Sequence, residues 1–111
     1  MRRYKALNPI TIEDAEKAFF TGEVTTVAEA LLRMSLFIED YDFIIERLMK
    51  HIKNENPEIK EASIFGIGHV ARRFGKIEKD EVLPILDLLK SDEYVSGAVY
   101  DTLSDIEFFV K

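Results

Sequence analysis

Apolar residues recur at three- and four-residue steps through almost the whole chain, with polar residues between them, which is the pattern of amphipathic helices. Thr11 followed by Asp14 has the spacing of an N-cap with a carboxylate three residues on, and Ile12, Ala15, Ala18 and Phe19 then keep helical step until Gly22, predicting a first helix over 11–21. A second pattern runs from Thr25 or Thr26 through Val27, Ala28, Leu31, Leu32, Ser35 and Leu36 to about Ile38. The cluster Glu39, Asp40, Tyr41, Asp42 interrupts the rhythm, and Phe43, Ile44, Leu48, Met49 and Ile52 carry a third helix that fades at Asn54. Asn56 followed by Pro57 is a strong helix start, because Asn caps free amides and Pro at the first helical position has no amide to satisfy. A fourth helix over 57–74 follows, and Gly75 ends it by supplying a left-handed residue. A fifth spans about Asp80 to Lys90, with Val82, Leu83, Leu86 and Leu89 inward and Pro84 near enough to the start to be tolerated. The sixth is expected to begin at Ser91 and Asp92, with Asp92 as its cap, and to run almost to Lys111. No stretch alternates long enough to make a strand, and no Asn-Gly or Asp-Gly hairpin signal occurs, so the fold class is all-α.

Two details refine that picture. Gly66 and Gly68 inside the fourth helix each cost about 1 kcal/mol relative to Ala, so a neighbouring helix is expected to pack closely there. The chain also matches itself at an offset of 37 and then 36 residues: Ile45, Leu48, Met49 and Ile52 fall on Val82, Ile85, Leu86 and Leu89, and Ile59, Ala62, Ile67 and Val70 fall on Val95, Ala98, Leu103 and Ile106. That period belongs to helical-hairpin solenoids, in which no hairpin covers its own apolar face. About six helices in three stacked antiparallel hairpins, a short HEAT-like solenoid forming one domain over 1–111, is the predicted architecture. The phenylalanines Phe19, Phe20, Phe37, Phe43, Phe65 and Phe74 read as core rather than as a ligand cage.

Residues 62–106 resemble a family of small bacterial HEAT-like proteins, in which a Gly-x-Gly-His-x-Ala-Arg helix end precedes a Val-Leu-Pro helix and an acidic carboxyl-terminal helix. Here these elements are Gly66 to Arg72, then Val82, Leu83 and Pro84, then Asp101 to Ile106, and the layout from Ala18 onward is similar. Ser104 stands where the family pattern has an acid. The resemblance implies an immunity protein of contact-dependent growth inhibition or another polymorphic toxin system, which binds and blocks a toxin domain, often a nuclease.

Composition narrows the classes of function. The 111 residues suit one domain, and no apolar run reaches the ~18 residues that span a bilayer, so no membrane partner is expected. The basic start, Met1 to Lys5, has no apolar signal core behind it, and the absence of cysteine fits a reducing compartment, so a cytoplasmic location is expected. A formal charge of −6 argues against direct nucleic-acid binding, which needs clustered Lys and Arg, and favours a cationic protein partner.

Catalytic, cofactor and metal chemistry all lack support. His51 and His69 lie on different helices without zinc-ligand spacing, and His69, close to Arg72 and Arg73, is expected to complement a helix C-terminus. Gly66 and Gly68 lack the strand and third glycine of a nucleotide loop, and no serine elbow occurs. The protein therefore reads as a non-enzyme with no cofactor. Its functional hint is acidic: from Ser91 onward five acids, Asp92, Glu93, Asp101, Asp105 and Glu107, face one lysine, with Tyr94 and Tyr100 adding aromatic area. Asp101 and Asp105 share a helix face and repel each other, a cost that suggests use. Tyr100, Asp101, Asp105 and Glu107, together with Asp40, Tyr41 and Asp42 at the turn before the third helix, are the expected partner contacts. The alternatives are a solvated acidic face, or a general HEAT-like adaptor that binds a helix or peptide in the solenoid groove.

Overall fold

A computed structural model of the chain describes residues 7–111, so the basic residues 1–6 lie outside the described region. The described residues form six α-helices and no strand: α1 Ile12–Thr21, α2 Val24–Phe37, α3 Tyr41–His51, α4 Pro57–Phe74, α5 Lys79–Leu89 and α6 Ser96–Phe109. The caps explain most boundaries. Thr11 accepts from the Asp14 amide, Glu23 from the Thr26 amide, Asp40 from the Phe43 amide, and Asn56 from both Glu58 and Ile59. Gly22 and Gly75, at φ 69° and 66°, close α1 and α4 in the left-handed conformation.

The start of α6 corrects the sequence expectation. The Asp92 carboxylate accepts from the Tyr94 amide at 3.0 Å and faces Lys60 at 3.7 Å, which builds a turn rather than a cap. The helix begins at Ser96 behind Val95, which provides no side-chain cap.

Helix α1 packs on α2, α3 on α4 and α5 on α6, and α2, α4 and α6 lie side by side with α4 in the middle. These three inner helices run in the same direction: Gly68 of α4 faces Thr102 and Asp105 while Gly75 faces the Phe109 carbonyl, and Gly66 faces Ser35 while Arg73 reaches the Ile38 carbonyl at the end of α2. The stack of three hairpins is thus present. Both internal glycines mark close approaches, since a Cβ at Gly66 would stand 2.6 Å from Leu48 Cδ2 and from Ser35 Oγ, and one at Gly68 would stand 2.9 Å from Asp105 Oδ2.

Arg73 ties α4 to the end of α2. Its guanidinium donates to the carbonyls of Ser35 at 2.8 Å and Ile38 at 2.9 Å and pairs with Glu39, satisfying acceptors that the helix end leaves open.

The core is aliphatic: Leu31, Met34, Ile44, Leu48, Ile64, Ile67, Val70 and Leu86 are fully buried. The phenylalanines do not occupy it as expected. Phe19, Phe43, Phe65 and Phe74 pack only against its margin, Phe37 is exposed, and Phe20 is 94% exposed. Helix separation follows side-chain size at the contact, and here Ala28, Ala62, Ala71 and the two glycines bring the helices too close for a ring between them. At the carboxyl end Phe108 is 71% exposed and meets Phe109 edge-on.

Candidate interaction surface

The outward stripe of α4 passes through the half-buried Glu58, Glu61, Phe65 and His69 and the exposed Arg72, positions three or four apart that share one helix face. Alongside it α6 presents Asp101, Ser104 and Asp105. The two helices are held in register by the Thr102 hydroxyl, which donates to the Ile64 carbonyl at 3.0 Å, and by the missing side chain at Gly68. The seam between them forms a shallow groove of about 330 Å³ lined by Phe65, Arg72, Asp101, Ser104 and Asp105. A second depression of about 190 Å³, lined by Pro57, Glu58, Glu61 and Tyr94, continues toward the start of α4. Tyr94 stands 78% exposed at that end.

One cation sits in this groove. Arg72 Nη2 donates to His69 Nδ1 at 2.8 Å, and its Nε lies 3.8 Å from Asp105 Oδ2. Since Arg72 is always a donor, the neutral His69 ring carries its proton on Nε2. Burial, with Arg72 beside it, pushes the His69 pKa down to about 4, and Asp105 only partly opposes this. His69 is therefore uncharged near neutrality, which corrects the expectation that its charge complements the end of α4. The expected cost of Asp101 beside Asp105 is also reduced, because Asp105 has Arg72 as a partner.

The expected contact residues divide into separate places. Asp101 and Asp105 face the α4 seam. Tyr100, 57% exposed, and Glu107 lie further round α6 on its outer flank. Asp40 and Asp42 are exposed at the start of α3, where the Asp40 carboxylate is occupied as the cap of that helix. Tyr41 is buried: its ring meets Phe74 edge-on with the Lys76 ammonium above it, and its hydroxyl donates to Glu78 Oε2 at 3.1 Å. Burial and Glu78 raise its pKa, so the phenol stays protonated as a strut between two turns. Asp42 is left as the exposed member of that group that makes no hydrogen bond or ion pair among the described residues.

Sequence reasoning missed Phe65 and Arg72 as neighbours of Asp101, because only the packing of α4 on α6 places them together. It also missed a larger depression of about 460 Å³ on the other side, between α1 and α3, lined by Glu16, Phe19, Phe20, Arg47, Lys50 and His51. There most polar groups are engaged: Arg47 pairs with both Glu16 and Glu46, the His51 ring packs on Phe19, and His51 Nδ1 donates to the Arg47 carbonyl. Among the described residues no three or more acids or histidines converge in a way that would hold a metal ion, and no helix is long and apolar enough to cross a membrane.

No family model and no curated protein matches the sequence. Among solved structures, a chain in the crystal structure of a CDI complex from Cupriavidus taiwanensis LMG 19424 is 22% identical and superposes with a TM-score of 0.84 over 98% of both chains. At that identity the likeness is one of fold, and it extends over the whole six-helix stack.

Proposed function

We propose that this protein is an immunity protein, a single HEAT-like domain that binds and neutralises a cognate bacterial toxin domain in the cytoplasm, without catalysis or cofactor. The observation that carries this reading is the end-to-end likeness of fold to a chain of a CDI complex. A net charge of −6, an open groove lined by Asp101 and Asp105 and a neighbouring depression lined by Glu61 support a cationic partner, and a basic nuclease is the toxin class this fits best. Inhibition is then steric, with the acidic surface covering the groove that would otherwise take a phosphate backbone.

The test is protection. The toxin domain encoded beside this gene is induced in a sensitive bacterial host with and without the protein. Restored growth, together with a stable complex on gel filtration, is the expected result. Growth arrest despite full expression of the folded protein refutes the neutralising role and leaves the general adaptor as the reading to pursue.

A further inference from the structure

The α4–α6 seam is not uniformly acidic, and this bears on what fits it. Toward one end Glu61 lines the depression that holds Tyr94, and further along Asp101 lines the same groove as Phe65 and Arg72; among the described residues neither acid takes part in an ion pair. At the other end stands Arg72, whose guanidinium is fixed by two contacts: Nη2 on the neutral His69 ring and Nε beside Asp105. A guanidinium has five N–H donors, so the Nη1 edge remains able to take a carboxylate as a fork. Glu61 and Arg72 are eleven positions apart on α4, roughly 16 Å along its axis. A helix of about three turns, or a strand of about five residues, spans that distance.

We propose that this seam docks a mixed-charge segment of the toxin domain, which directs separate basic side chains to Glu61 and to Asp101 and a carboxylate to Arg72. The proposal rests on the neutralising role and specifies its contact surface. It differs from a purely acidic plug in one respect: a uniformly basic partner would be repelled at Arg72, and like charges set together across an interface are what exclude wrong partners. Arg72 is then the residue that sets register, and His69 and Asp105 are positioning residues that hold it.

The experiment is calorimetric titration of the full-length protein with a catalytically inactive form of the toxin domain encoded beside the gene. Glu61→Lys, Asp101→Lys and Arg72→Gln are compared with Glu13→Lys, a charge reversal on distant α1, and urea midpoints confirm that each variant folds. Asp101→Lys and Glu61→Lys are expected to weaken binding by at least about tenfold, and Arg72→Gln likewise, while Glu13→Lys matches the wild type. The arginine variant is decisive, because removing a positive charge from an acidic plug should tighten its hold on a basic groove. Tighter or unchanged binding by Arg72→Gln overturns the proposal. So does equal weakening by Glu13→Lys, which would reduce the effect to net charge. If the wild type binds and all three seam variants bind as well, the seam is not the surface although the neutralising role stands. If the wild type itself does not bind, that role fails and the proposal falls with it.

Discussion

Replacing Gly66 by Ala pits two effects of known sign against each other. In the interior of α4, Ala is favoured over Gly by about 1 kcal/mol of helix propensity. Against this, the new Cβ would lie 2.6 Å from both Leu48 Cδ2 and Ser35 Oγ. Neither neighbour has room to retreat, since both are fully buried and the Ser35 hydroxyl is tied to the Leu31 carbonyl at 2.7 Å. Overpacking a core by one methyl costs about 1–3 kcal/mol, so the balance is a loss of up to about 2 kcal/mol. For a chain of this size that is a fall in Tm of up to roughly 10 °C. Gly97 is the internal control, because a Cβ there meets nothing within 4 Å and its φ is not positive. Gly97→Ala should gain about 0.5 kcal/mol, roughly 2–4 °C. Thermal and urea unfolding of the two variants in one buffer measures the difference. A Gly66→Ala protein that melts above the wild type, as Gly97→Ala should, would refute the argument that close approach of α2 and α3 demands this glycine.

Arg73→Ala leaves the Ser35 and Ile38 carbonyls without their charged donor and should cost about 1.5–3 kcal/mol in urea unfolding. Gly75→Ala puts a side chain at φ 66° and should cost about 1–2 kcal/mol, with the loss confined to the end of α4 in hydrogen exchange. The pH dependence follows from His69, whose pKa falls from 6.5 to about 4 on folding. The unfolded chain binds the extra proton between those values, so the stabilising contribution is complete above about pH 6.5 and is lost as pH falls toward 4. His69→Gln should flatten the stability profile over that window, and the wild-type ring should titrate near 4 by NMR, a resonance shift near 6.5 being the contrary result.

Much of the fold was legible because its signals are local. Asn56, Pro57 and Gly75 bound α4 by capping chemistry alone, and the two internal glycines announced close packing before any partner was known. The start of α6 was not legible, because Asp92 looks like a cap in sequence and is used instead to close a turn onto Tyr94. The phenylalanines misled for a related reason: hydrophobicity ranks them as core, but the separation of the helices is set by alanines and glycines elsewhere, and that separation rejects a ring. Tyr41 likewise read as a contact residue, when the turn at Glu78 folds over it. In the candidate surface, Asp101 and Asp105 could be singled out from their charge, whereas Phe65 and Arg72 join them only through the register that Thr102 and Gly68 impose.

The placement of Gly66 and Gly68 on opposite sides of α4 has an evolutionary consequence. One glycine fixes α4 against α2 and α3 and the other fixes it against α6, so the middle helix is clamped by positions that face inward. The outward stripe takes no part in that clamp, and exposed substitutions away from caps and packed sites generally change stability by no more than about 0.5 kcal/mol. Residues such as Glu61, Asp101 and Ser104 are therefore open to replacement without endangering the fold. A lineage under pressure to follow a changing partner can rewrite this face one side chain at a time while the scaffold beneath it stays constant.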